Sequence, residues 1–185
     1  MSVIKGKRIN LLFAKKEDRR TIYDMLVSPE TVHLMFDETH PKPTYEEFEE
    51  EEDFFYSGES NRLGSYMLIE YQNEIVGSVS YACGYEKNPY SELDIWMKSS
   101  KYTGKGLGRE AINLVVEFVG NEYKISDFII RPWIKNVNAI KAYKKCGFQE
   151  FPRADLKNYY DDGAYEKYGD GDYGIEDTVN LSKKK

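Results

Sequence analysis

Hydrophobic and polar positions change period several times along this chain, and each change marks an element. Residues 8–13, Arg-Ile-Asn-Leu-Leu-Phe, predict a first strand. Residues 16–28 set Ile22, Met25 and Leu26 on one side of a helix that Pro29 stops. Residues 31–36 predict a short helical turn, and 37–43 a loop, because Pro41 and Pro43 block helix. Thr44 with Glu47 forms a capping box that opens an acidic helix reaching about residue 56. Residues 65–71 and 75–82 predict a hairpin around Gln72-Asn73-Glu74. A loop at 83–90 leads to a strand at 92–97. The helix predicted over 107–121 is apolar at Ala111, Ile112, Leu114, Val115, Val116, Phe118 and Val119, a face broad enough to be buried. A strand at 126–130 ends at Arg131-Pro132, a helix begins at Asn136, and strands follow at 147–151 and near 178–181.

Strands and helices alternate without an internal repeat, which predicts one α/β domain over residues 1–185. No run approaches the roughly 20 apolar residues of a membrane span, and the first residues lack the pattern of a signal peptide. Cys83 and Cys146 make no disulfide framework, so reduced thiols in a cytoplasm are expected. With His33 and His40 they make no metal-binding spacing either, so no metal is expected. The net charge is −6, and the clustered positive charge that nucleic acid requires is absent apart from a short tail, 183–185. Acidic residues concentrate at 46–53 and at 161–177, the second stretch mixed with tyrosines. Such a surface attracts cationic ligands, or simply forms a solvated face. The Asp170-Gly-Asp172 stretch lacks the twelve-residue pattern of a helix–loop–helix calcium site.

The stretch Lys101-Tyr-Thr-Gly-Lys-Gly-Leu-Gly-Arg109 carries the chemistry. Gly104, Gly106 and Gly108 alternate directly before a predicted helix, whose first N–H groups and partial positive charge favour phosphate oxygens. A Walker A loop would need Lys-Ser/Thr after the last glycine, and Arg109-Glu110 stand there. A dinucleotide loop would need Gly-x-Gly-x-x-Gly directly after a strand, whereas six polar residues, 98–103, intervene here. The loop resembles the pyrophosphate loop of the GNAT N-acetyltransferases, Gln/Arg-x-x-Gly-x-Gly/Ala, with Lys101 at the first position. A second segment, Asn136-Val-Asn-Ala-Ile-Lys-Ala-Tyr-Lys-Lys-Cys-Gly-Phe148, resembles that family's Asn-x-x-Ala-Ile-x-x-Tyr-x-Lys-x-Gly-Phe. On its own this segment reads as a capped helix with Gly147 as its stop. The resemblance is strong from about residue 92 to 151, and the aminoglycoside 6'-N-acetyltransferase branch is the nearest in motif.

The resemblance implies a mixed, mostly antiparallel central sheet of about six to seven strands with flanking helices. It also implies acetyl-CoA as co-substrate, wedged between two splayed strands. The expected cofactor contacts are Ile95, Trp96 and Met97 on the strand, the loop and helix start Thr103, Gly104, Lys105, Gly106, Leu107, Gly108 and Arg109, and Asn136, Ala139 and Tyr143 on the later helix. Asp94, ten residues before Gly104, stands where that branch places a proposed general base, although an outward-facing acid beside Glu92 on an alternating strand also fits. Tyr143 stands where the family has an acid for the departing thiolate, and a core aromatic is the plainer reading.

The resemblance further implies a primary amine as acceptor, with Asp37, Glu38, Glu92, Asp94 and Trp96 around it. A cationic small molecule such as an aminoglycoside suits the acidic charge, in which case the activity would be of the antibiotic-resistance type. A protein N-terminus or a polyamine are the alternative acceptors, and an acyl-CoA-binding sensor is the non-catalytic one. Arg131 departs from the branch, which often has Asp five residues before the helix Asn; facing the cleft, it would repel an ammonium. A homodimer is a further expectation from the family.

Overall fold

A computed structural model describes residues 3–160 and 177–185. Eight strands form one sheet in the order β1-β2-β3-β4-β5-β6-β8-β7. They are β1 (Val3–Lys5), β2 (Ile9–Phe13), β3 (Gly64–Tyr71), β4 (Glu74–Gly84), β5 (Tyr90–Met97), β6 (Asp127–Ile130), β7 (Gln149–Glu150) and β8 (Leu181–Lys184). Every pairing is antiparallel except β5 with β6. Four helices flank the sheet: α1 (Arg19–Leu26), α2 (Tyr45–Glu49), α3 (Leu107–Tyr123) and α4 (Val137–Lys145).

Alternation along the strands assigns the two faces of the sheet. Met67 and Ile69 of β3 join Val79, Tyr81 and Leu93 in a core against Leu107, Ala111, Ile112, Val115 and Val119 of α3. Tyr66, Leu68 and Trp96 point the other way and pack with Ile22, Met25 and Leu26 of α1 and Phe48 of α2. Each fully buried aliphatic side chain contributes about 1.5–3 kcal/mol relative to exposure. A third, smaller cluster of Tyr90, Ile129, Leu156 and Tyr160 closes the sheet near the start of β5.

The hairpin turns at Gln72 and Asn73, both with positive φ (53° and 63°), the two-residue geometry that matches strand twist. The acidic helix expected to reach residue 56 ends early. α2 stops at Glu49, and a separate 3-10 turn covers Asp53–Tyr56. Arg19 accounts for the break, because its guanidinium takes the carbonyls of Glu49 and Glu51, each at 3.0 Å. The chain also has a strand that its pattern did not announce, β1, which hydrogen-bonds along the sheet edge. The last strand lies three residues later than expected and slots between β6 and β7. The acidic, tyrosine-rich stretch and the Asp170-Gly-Asp172 motif lie outside the described residues. Among the described residues no helix is long and apolar enough to cross a membrane.

Candidate active site

The site begins where two strands part. β5 and β6 pair in parallel through only three positions, Tyr90 with Asp127, Ser91 with Phe128 and Glu92 with Ile129. β6 ends at Ile130, and Arg131-Pro132 follow; proline has no N–H for a ladder. β5 continues to Met97 paired with β4. Among the described residues, the other side of β5 from Leu93 to Met97 has no strand neighbour, and such an edge offers N–H and C=O groups to an extended ligand.

Beyond β5 the chain is fixed in place before it turns. Glu30 accepts hydrogen bonds from the N–H and hydroxyl of Ser100, and the Tyr102 hydroxyl donates to Glu74. Gly104 and Gly106 then adopt φ of +70° and +77°. A Cβ on Gly104 would meet nothing within 4 Å, so the loop's outer face is open. Gly106 is the N-cap of α3 and supplies no side-chain cap to its first turn. Those N–H groups and the end of the helix dipole favour an anion. Lys105 and Arg109 are exposed beside them, whereas Leu107 is buried in the core and Gly108 packs against Ile95 and Met97. Of the expected loop contacts, Thr103 donates its hydroxyl to the Ser100 carbonyl.

Asp94 and Glu92 share one face of β5 and have opposite surroundings. Asp94 is exposed, and its Oδ1 accepts the Ile95 N–H at 2.8 Å. In register, Asp94 faces Ser80 and Ser80 faces Tyr66. The Tyr66 hydroxyl donates to Glu51 at 2.9 Å, and burial, then Glu51, Tyr56 and Asp94, hold it protonated well above the usual tyrosine range. Glu92, in contrast, accepts from Arg131 Nε at 2.6 Å and from the Tyr160 hydroxyl. The Arg131 side chain is 7% exposed and turned onto Glu92, so its charge is neutralised inside the fold.

The other expected residues divide between site and scaffold. Asn136 Oδ1 caps α4 by accepting the Ala139 N–H, and its Nδ2 donates to the Leu34 carbonyl. Tyr143 lies within the main core at 8% exposure, with Ala139 packed beside it. Trp96 is 4% exposed and packs edge-on to Tyr66, in the cluster it shares with α1. Asp37 organises its own loop, accepting from the Thr39 N–H and hydroxyl and the His40 N–H, and it pairs with Lys135 at 3.0 Å. Glu38 is exposed beside it.

Two residues beside the expected site escaped the sequence reading. Glu51 sits between Tyr56 and Tyr66 on the face that carries Asp94, and nothing in its acidic run distinguished it. Arg8 lies at the glycine loop although about a hundred residues separate the two in sequence, which leaves no local signal.

A family profile described as an acetyltransferase (GNAT) domain matches residues 8–149. The spermine/spermidine N(1)-acetyltransferase of Bacillus subtilis (strain 168) is 29% identical over 86 residues, 44% of this chain and 57% of its own length. The chain thus matches little more than half of that relative. Among solved structures, the aminoglycoside acetyltransferase AAC(6')-Ib with coenzyme A and kanamycin superposes with a TM-score of 0.68 at 16% identity, covering 96% of this chain and 95% of that one. The spermidine N-acetyltransferase of Vibrio cholerae with CoA and spermine gives 0.67 at 18%, covering 96% and 95%. At such identities these likenesses speak for the fold. The profile covers most of the chain and spans both the parted strands and the glycine loop, so the chain belongs to the GNAT acetyltransferase family.

Proposed function

We propose that the protein is an acetyl-CoA-dependent N-acetyltransferase acting on a primary amine of a cationic small molecule. The observation that carries this reading is Asp94, an exposed carboxylate on β5 beyond its last pairing with β6, on the same strand that leads into the phosphate loop. The residues fit acetyl-CoA. The open face at Gly104 and the uncapped first turn of α3 suit a pyrophosphate, and the side of β5 beyond its last pairing with β6 suits the amides of a pantetheine arm. When bound, acetyl-CoA supplies an activated acetyl thioester.

The chain's own groups then divide the work. Asp94 attracts the ammonium of the acceptor and takes its proton, which frees the nitrogen lone pair. The β5 backbone orients the acetyl carbonyl. Tyr143 would supply a proton to the thiolate as it departs, and Asn136, fixed by Ala139 and Leu34 at the start of α4, would hold the arm.

Two carboxylates expected to grip several amines are already engaged, Asp37 by Lys135 and Glu92 by Arg131. This favours a linear polyamine over an aminoglycoside, whose several ring-borne amines call for several free acids. The polyamine acetyltransferase relative supports the same choice. The test is thiol release from acetyl-CoA against spermidine, kanamycin, tobramycin and a ribosomal-protein N-terminal peptide. Turnover with spermidine is expected. Turnover with the aminoglycosides or the peptide alone reassigns the acceptor, and CoA binding without turnover on any amine favours a sensor.

A further inference from the structure

Arg8 has no part in the chemistry above, yet it makes the densest set of polar contacts at the phosphate loop. Its backbone N–H and Nε donate to the two oxygens of Glu110, at 2.7 and 2.8 Å. Its Nη1 donates to the Lys105 carbonyl at 2.9 Å. Its Nη2 lies 3.4 Å from the point where a Cβ of Gly106 would stand.

A peptide unit is planar and trans, so the Lys105 carbonyl and the Gly106 N–H point in opposite directions. Arg8 holds that carbonyl on its own side, which turns the Gly106 N–H to the other. Glycine at 106 makes inversion of this peptide cheap, because both hands of φ are open to it. An inverted peptide would present a carbonyl oxygen where the loop needs a donor. Arg8 also answers a second problem. Glu110 lies in the first turn of α3, where its carboxylate suits the helix dipole but repels a phosphate. Burial raises the proton affinity of Glu110, but the N–H and guanidinium of Arg8 outweigh that and keep it ionised. The pair with Arg8 cancels the charge close to the loop.

We infer that Arg8 is a positioning residue for acetyl-CoA binding: it fixes the Lys105–Gly106 peptide with its N–H toward the pyrophosphate and neutralises Glu110. The inference rests on the acetyl-CoA reading. Arg8 is 43% exposed in its side chain, so removing it leaves the core intact.

The experiment is calorimetric titration of CoA into wild type, Arg8→Ala, Arg8→Lys, Glu110→Gln and the Arg8→Ala/Glu110→Gln double variant, with Tm for each and the Gly106 amide followed by NMR. Arg8→Ala is expected to bind CoA about tenfold or more weakly, the scale of charge-assisted hydrogen bonds, with Tm little changed. Arg8→Lys should fall between, because an ammonium lacks the planar fork that reaches Glu110 and Lys105 together. The double variant should recover part of the loss, and the Gly106 amide should shift on CoA addition in wild type and not in Arg8→Ala. A wild-type protein that does not bind CoA overturns the acetyl-CoA reading and this inference with it. Wild-type binding matched by folded Arg8→Ala overturns the inference alone. If Arg8→Ala does not fold, wild-type affinity in Arg8→Lys does the same.

Discussion

Glu92 and Asp94 stand two residues apart on the same face of one strand, and the molecule uses them in opposite ways. Glu92 falls at the last position where β5 pairs with β6, and the chain that follows β6 returns Arg131 to it. Tyr160 closes the group from the third hydrophobic cluster. One step of alternation further, β6 has ended and Asp94 is exposed, its Oδ1 accepting the Ile95 N–H. The strand's chemistry is therefore set by the extent of its neighbour. Beside β6 a carboxylate becomes internal scaffolding, and beyond the end of β6 the same residue class is exposed.

The largest effect is expected at the open member of the pair. Asp94→Asn should lower turnover by about 100- to 10,000-fold, the range for general acid–base groups, with CoA affinity unchanged. Glu92→Ala should behave in the reverse sense. It removes the carboxylate that accepts from Arg131 Nε inside the fold and should cost about 2 kcal/mol in urea unfolding, so a midpoint equal to wild type would remove the distinction drawn here. Gly106→Val puts a branched side chain at φ +77° and should weaken CoA binding by about tenfold to 100-fold through backbone strain. Undiminished affinity in the folded variant would refute the loop assignment. Tyr143→Phe should slow turnover by roughly tenfold, less than a typical acid–base group because a thiolate leaves readily; full turnover would point to water as the acid.

The smallest effect concerns pH. The Thr39 hydroxyl and the Lys135 ammonium, aided by the Thr39 and His40 N–H groups, hold the Asp37 carboxyl well below the usual carboxylate range. A depressed carboxyl contributes to order above the unfolded-state value, and the contribution is lost only as pH falls toward the folded-state value. The 37–40 turn should thus persist through the ordinary carboxylate range and loosen in stronger acid. NMR titration of the Thr39 amide would show a midpoint in that ordinary range if the contacts to Thr39, Lys135 and His40 did not hold the carboxyl ionised.

Much of this was legible in the chain. The alternation in β3 and β5, the broad apolar face of α3 and the Thr44–Glu47 box are local signals, and local signals survive folding. The glycine loop was legible because positive φ and open approach select glycine at particular spacings. What stayed hidden depends on distant partners. Glu92 reads like Asp94 until Arg131 arrives from a different strand. Trp96 carries no local sign of the packing it makes with α1. Asp37 reads as a free acid until Lys135 pairs with it. Arg8 carries no pattern at all, because its meaning lies in a carbonyl and a carboxylate supplied by residues 105 and 110.

The most direct measurement is mass spectrometry of spermidine after incubation with acetyl-CoA and either the wild-type protein or Asp94→Asn. A singly acetylated product from wild type, nearly absent with Asp94→Asn although that variant binds CoA as well as wild type, is the predicted result. Acetylation at the wild-type rate by Asp94→Asn would contradict the role assigned to the open carboxylate of β5.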